Sequence, residues 1–124
     1  METLSDISKW NTNQVKEMIN LFYKCSSLTK MPDISGWDTS KVIKISHLFE
    51  GCANLENIPD ISNWKTGNVK EMNNLFRECL SLKSIPDISN WDISNVKDMS
   101  FLFYYCLKIN SIPDISKWEI KNIL

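Results

Sequence analysis

The seven-residue phrase Ile58-Pro59-Asp60-Ile61-Ser62-Asn63-Trp64 recurs at a fixed interval of 27 residues, and that interval limits what the chain can fold into. The phrase runs from Leu4 to Trp10, Met31 to Trp37, Ile58 to Trp64, Ile85 to Trp91 and Ile112 to Trp118. A constant period of this length marks an array in which no unit buries its apolar face alone, so neighbouring copies must stack. The period divides the chain into repeats 4–30, 31–57, 58–84 and 85–111 with a partial copy at 112–124, all within one repeat domain over residues 1–124. The chain enters almost on Leu4 and stops at Ile123-Leu124, where a further helix is due, so either it is a section of a longer array or its ends pack against another copy.

Composition narrows the function classes. Hydrophobic residues make up 43% and charged residues 23%, with a formal net charge of -1, which is the balance of a soluble globular chain. The 14 basic residues are 13 Lys and Arg77, interleaved with 15 acids, so no field points to nucleic acid. Met1 to Asp6 has neither the basic start nor the apolar run of a secretory signal. No apolar run is long enough for a transmembrane helix, so membrane insertion is not expected.

Within a copy, Met31-Pro32-Asp33-Ile34 suits a short strand or extended rung, because proline removes a donor and biases the preceding residue towards extended geometry. After the tryptophan, Asn68-Val69-Lys70-Glu71 and Asn95-Val96-Lys97-Asp98 come close to a capping box and predict a helix start. Val15, Met18, Leu21, Phe22 and Cys25 then follow at intervals of three and four, the stripe of a short amphipathic helix. The expected architecture is an α/β repeat solenoid of about four and a half coils, each a short strand or rung plus a short helix. Intervals of three fit a 3₁₀ turn as well.

The phrase Leu48-Phe49-x-x-Cys52-x-x-Leu55-x-x-Ile58-Pro59-Asp60-Ile61-Ser62-x-Trp64 resembles the BspA-like leucine-rich repeat family, bacterial and protist surface proteins built from units of about 25 to 27 residues. The likeness extends from Leu4 to Trp118. It implies a leucine-rich-repeat fold, a cell-surface or secreted location, and non-enzymatic adhesion or protein binding.

Four columns carry the repeated chemistry. Trp10, Trp37, Trp64, Trp91 and Trp118 are expected to form a buried indole ladder, with an exposed stripe for stacking on glycans as the rival reading. Cys25, Cys52, Cys79 and Cys106 occupy one apolar place in each copy and are expected to be reduced thiols rather than two disulfides; with His47 as the single histidine, no zinc site is expected. Asp33, Asp60 and Asp87, with Asp6 and Asp114, each precede a serine by two residues, which suits an Asx turn; calcium binding is the rival. The serines at Ser8, Ser35, Ser62, Ser89 and Ser116 repeat without the asymmetric partners a nucleophile needs, so no enzyme, cofactor or metal is expected.

Recognition is sought where copies differ. Tyr23, Glu50, Arg77 and Tyr104 share one column and Lys24, Gly51, Glu78 and Tyr105 the next, and variation between copies predicts that both columns face solvent. Tyr23, Arg77, Tyr104 and Tyr105 are the candidate partner-binding residues, since Tyr and Arg are favoured interface anchors. The leading expectation is a protein-interaction or adhesion module with an unknown protein partner. The alternative is a structural spacer or self-assembling unit joined end to end.

Overall fold

The computed structural model describes residues 7–110. They form a stack of coils in which each residue lies over its equivalent 27 positions away: coil one is residues 7–30, coil two 31–57, coil three 58–84 and coil four 85–110. Leu4, Asp6, Asp114, Ser116 and Trp118 lie outside the described residues.

The expected strand-plus-helix coil is not what the chain adopts. Among the described residues there is no helix, and extended pairing is confined to three isolated parallel bridges joining Glu17, Lys44, Glu71 and Asp98. Nor does Met31-Pro32-Asp33-Ile34 become a strand.

Backbone hydrogen bonding explains the difference. A helix would send each N–H to the carbonyl four residues back. Instead Met18, Asn20, Phe22 and Lys24 donate to the carbonyls of Lys44, Ser46, Leu48 and Glu50 in the following coil, at 2.9, 3.4, 3.0 and 2.7 Å. The Tyr23 and Cys25 N–H groups close turns within the coil, to the carbonyls of Asn20 (3.0 Å) and Phe22 (3.2 Å). Left-handed residues punctuate the row at every fourth place: Asn20 and Lys24, His47 and Gly51, Asn74 and Glu78, Phe101 and Tyr105, with φ between 52° and 78°. Each interrupts helical geometry, at a cost of about 1 to 2 kcal/mol for a residue with a Cβ, and bonding to the adjacent coil offsets that strain. The expected helix-capping asparagines serve the same stacking. Asn68 Nδ2 donates to the Ser40 carbonyl (2.7 Å) and Asn95 Nδ2 to that of Gly67 (2.6 Å).

The core is a set of side-chain columns along the stack. Phe22, Phe49, Phe76 and Phe103 lie ring over ring, with centroids 5.7, 5.8 and 6.0 Å apart. Val42, Ile45, Leu48 and Leu55 pack in the same core with their coil-three counterparts Val69, Met72, Leu75 and Leu82. Leu21 breaks the expected apolar stripe: it is 42% exposed, whereas Leu48, Leu75 and Leu102 are fully buried. Among the described residues, each later coil is covered at this column by the coil before it.

Candidate functional site

The indoles belong to the core. Trp37, Trp64 and Trp91 are each 4% exposed and stack at 6.4 Å, and Trp10 lies on Trp37 at 6.1 Å with 55% of its surface open. The Nε1 donors of Trp37, Trp64 and Trp91 reach the carbonyls of Ile7, Ile34 and Ile61 at 3.0 to 3.1 Å. Each buried indole therefore satisfies its own polar atom while tying two coils together. An exposed tryptophan stripe does not exist at these three positions.

All four cysteines are free, and Cys52, Cys79 and Cys106 point their thiols at the carbonyls of Phe22, Phe49 and Phe76, 2.9 to 3.2 Å away. Burial pushes the Cys52 thiol up to about 12 and that of Cys106 to about 11, and raises Cys79 further still. A thiol that resists ionisation is a poor nucleophile. With a disulfide-exchange reagent at neutral pH, half-buried Cys25 is expected to react first and Cys52 and Cys79 only on unfolding; timed mass spectrometry of the labelled thiols checks the order.

The aspartates close turns. Asp33, Asp60 and Asp87 accept the N–H of Ser35, Ser62 and Ser89 at 2.9 to 3.0 Å, and Asp38 and Asp92 treat Ser40 and Ser94 in the same way. Hydrogen bonds from the serine hydroxyl, and then from the serine N–H, hold all five carboxyls below the ordinary 3.8. A carboxyl whose folded value is depressed adds stability above its unfolded value and loses it as pH falls through the folded one. The melting temperature is therefore expected to stay level from neutral pH down to about pH 5 and to drop below about pH 4. Calorimetry across that range tests the sign, and Asp60→Asn should blunt the drop. Among the described residues no group of three or more His, Cys, Asp or Glu is placed to hold a metal ion.

The varying columns make a lateral face. Left-handed backbone recurs at Asn20, His47, Asn74 and Phe101, and the side chains of the last three lie against the residue three places on. Tyr23 meets the His47 ring edge to face at 6.4 Å, and His47 Nδ1 pairs directly with Glu50 Oε2. Glu50 Oε1 lies 3.9 Å from Arg77 Nε, and Arg77 Nη1 donates to Asn74 Oδ1 at 3.4 Å. The Arg77 guanidinium sits 5.1 Å from the centre of the Tyr104 ring and 5.5 Å from that of Phe101. Tyr104 packs on Phe101 at 5.4 Å and on Tyr105 at 4.3 Å.

Tyr23, Arg77, Tyr104 and Tyr105 thus fall on one continuous path of contacts across four coils. Tyr23, Tyr104 and Tyr105 are exposed and Arg77 half-buried. Three members of the path were not singled out by sequence reasoning. Phe101 is exposed; His47 is half-buried against Glu50; and Glu50 is buried, contrary to the expectation that a varying column faces water. The available signal was asparagine at 20 and 74 and glycine at 51, residue types that tolerate left-handed backbone and so mark turns that carry neighbouring columns outward. A separate shallow groove is lined by Met31, Asp33, Ser35, Ile58, Pro59 and Asp60.

No curated protein and no solved structure matches this chain. Residues 2–59 and 27–124 match the family described as "Mycoplasma protein of unknown function, DUF285", and because the two matches together run along almost the whole sequence, the chain belongs to that family.

Proposed function

We propose that the chain is a non-enzymatic protein-interaction or adhesion module that engages a protein partner through the lateral face of Tyr23, Arg77, Phe101, Tyr104 and Tyr105. The observation that carries this reading is the division of labour between columns. Trp, Phe, Cys and Asp side chains that repeat are used up in stacking and turn closure, while the aromatic and cationic side chains that vary gather on one exposed path. Tyrosine and arginine supply contact area and directional bonding at little conformational cost, which is why they anchor interfaces. Arg77 is held beforehand by Glu50, Asn74 and two aromatic rings, so it loses little freedom on binding. Membership in the BspA-like leucine-rich repeat group, with the surface location that goes with it, is the finer assignment and rests on the repeated Leu-Phe-x-x-Cys and Asp-Ile-Ser-x-Trp phrases.

The test is binding of labelled chain to immobilised cell-surface and matrix proteins, compared with a variant carrying Tyr104→Ala and Tyr105→Ala. A tenfold or greater loss of affinity, about 1.4 kcal/mol or more, with an unchanged melting temperature is the expected result. Equal binding by both proteins overturns the assignment of this face.

A further inference from the structure

One carboxylate in the middle of the stack has two basic side chains competing for it. Glu50 is 6% exposed, and a buried carboxylate is costly unless its charge is matched. His47 Nδ1 of the same coil pairs directly with Oε2, and Arg77 Nε of coil three stands 3.9 Å from Oε1. The two contacts are unequal. The histidine contact is a direct hydrogen bond, whereas Arg77 Nε is buried without a hydrogen-bond partner and stands 3.9 Å from each of two carboxylates, those of Glu50 and Glu78. All three residues of the cluster lie in coils two and three, which are flanked by a further coil on either side.

Few charges face this cluster. Coil one presents Tyr23, whose ring meets that of His47 edge to face, and Lys24, whose Nζ lies 5.3 Å from the centre of the Tyr23 ring. Coil three presents Arg77, Glu78 and the Cys79 thiol, which burial keeps protonated at neutral pH. Coil four presents the Tyr104 ring against the guanidinium. Lys24 and Arg77 thus meet Glu50 and Glu78, so this part of the face carries no net charge while His47 is neutral and one positive charge when it is protonated. Histidine is the side chain that changes charge between about pH 5 and 8, and His47 is the only one in the chain.

We infer that His47, Glu50 and Arg77 form a proton-operated control on the lateral face, and that the partner of this face presents acidic side chains. The inference rests on the reading of that face as a protein-binding surface. A proton taken from solvent by His47 turns its hydrogen bond to Glu50 into an ion pair and matches the buried carboxylate locally. Arg77 then no longer shares its charge with Glu50. Asn74 and the rings of Phe101 and Tyr104 keep it in place, and its half-buried guanidinium stays within reach of a carboxylate arriving from outside. Below the histidine range the face attracts acids more strongly; above it, Glu50 draws on Arg77 again. Protonation of His47 and capture of an acidic partner therefore favour each other, as linkage requires of two coupled sites.

The experiment titrates the whole chain into a fluorescent hexa-aspartate peptide, whose carboxyls stay ionised above about pH 5, at low salt, where a single charge is least screened. Anisotropy is expected to show binding about fivefold tighter at about pH 5.5 than at about pH 7.5, the modest end for coupled sites. In His47→Asn the difference should vanish. Asparagine already occupies this column at Asn20 and Asn74 and accepts left-handed backbone, which at His47 has a φ of 61°. In NMR spectra of the peptide-free chain, the Arg77 Nε–H signal should move with the same midpoint as the His47 ring, and added peptide should shift that midpoint to higher pH. Equal binding by the parent at both pH values overturns the inference, as does a pH effect that persists in His47→Asn, or an Arg77 signal indifferent to the His47 titration. Absence of binding at both pH values overturns it as well. Parent binding that is equal at both pH values yet lost in the variant carrying Tyr104→Ala and Tyr105→Ala removes the control by His47 alone and leaves the lateral face as a binding surface.

Discussion

Trp64→Ala is expected to destabilise the chain by about 3 to 5 kcal/mol, the range for emptying a buried aromatic site. The site lies in the middle of the stack. Trp64 is sandwiched between Trp37 and Trp91 with ring planes within 7° of parallel, and its Nε1 donates to the Ile34 carbonyl at 3.1 Å. Truncation removes two stacking contacts and the hydrogen bond together, and coil spacing set by backbone bonds on the far side prevents the neighbours from closing the gap. For a chain of this length the melting temperature should fall by roughly 10 to 20 °C. Trp10→Ala is the internal comparison. Trp10 has one stacking neighbour among the described residues and is more than half exposed, so its loss should cost a small fraction as much. Thermal unfolding of the two variants measures the difference. Equal losses would mean that the indoles do not act as a stacked column.

Much of this arrangement is legible in the sequence, because a strict 27-residue register forces equivalent side chains on top of one another. The tryptophan and cysteine columns, and the Asx turns joining Asp33, Asp60 and Asp87 to their serines, follow from the register and from residue chemistry alone. The backbone between them does not. Val15, Met18, Leu21, Phe22 and Cys25 have helical spacing, yet a run of linked four-residue turns also returns its side chains to one face at intervals of three and four. Over some ten residues a repeat of about four cannot be told from one of 3.6. What separates the two is the sign of φ at Asn20, His47, Asn74 and Phe101, and histidine and phenylalanine in that column conceal what its asparagines indicate. The same concealment hid the lateral path. Glu50 varies between copies and looks like a solvent residue, but His47 and Arg77 on adjacent turns enclose it.

Position 51 decides between the two backbones by the sign of one substitution. If residues 45–52 formed a helix, replacing Gly51 would stabilise it, since glycine is the poorest ordinary residue in a helix interior by about 1 kcal/mol relative to alanine. In the turn row Gly51 has a φ of 78°, and a Cβ there would stand 2.9 Å from Lys24 Cγ and 3.2 Å from Lys24 Cα. Lys24 Cγ can swing aside, whereas the Cα is backbone held by the 2.7 Å bond from Lys24 N–H to the Glu50 carbonyl. A β-branched residue adds a crowded left-handed conformation to that contact. Gly51→Val is therefore expected to lower stability by about 3 kcal/mol, combining left-handed strain with overpacking. Gly51→Ala should lower it by less, still in the destabilising direction. Chemical denaturation of both variants gives the sign directly. A gain in stability for Gly51→Ala would restore the helical coil.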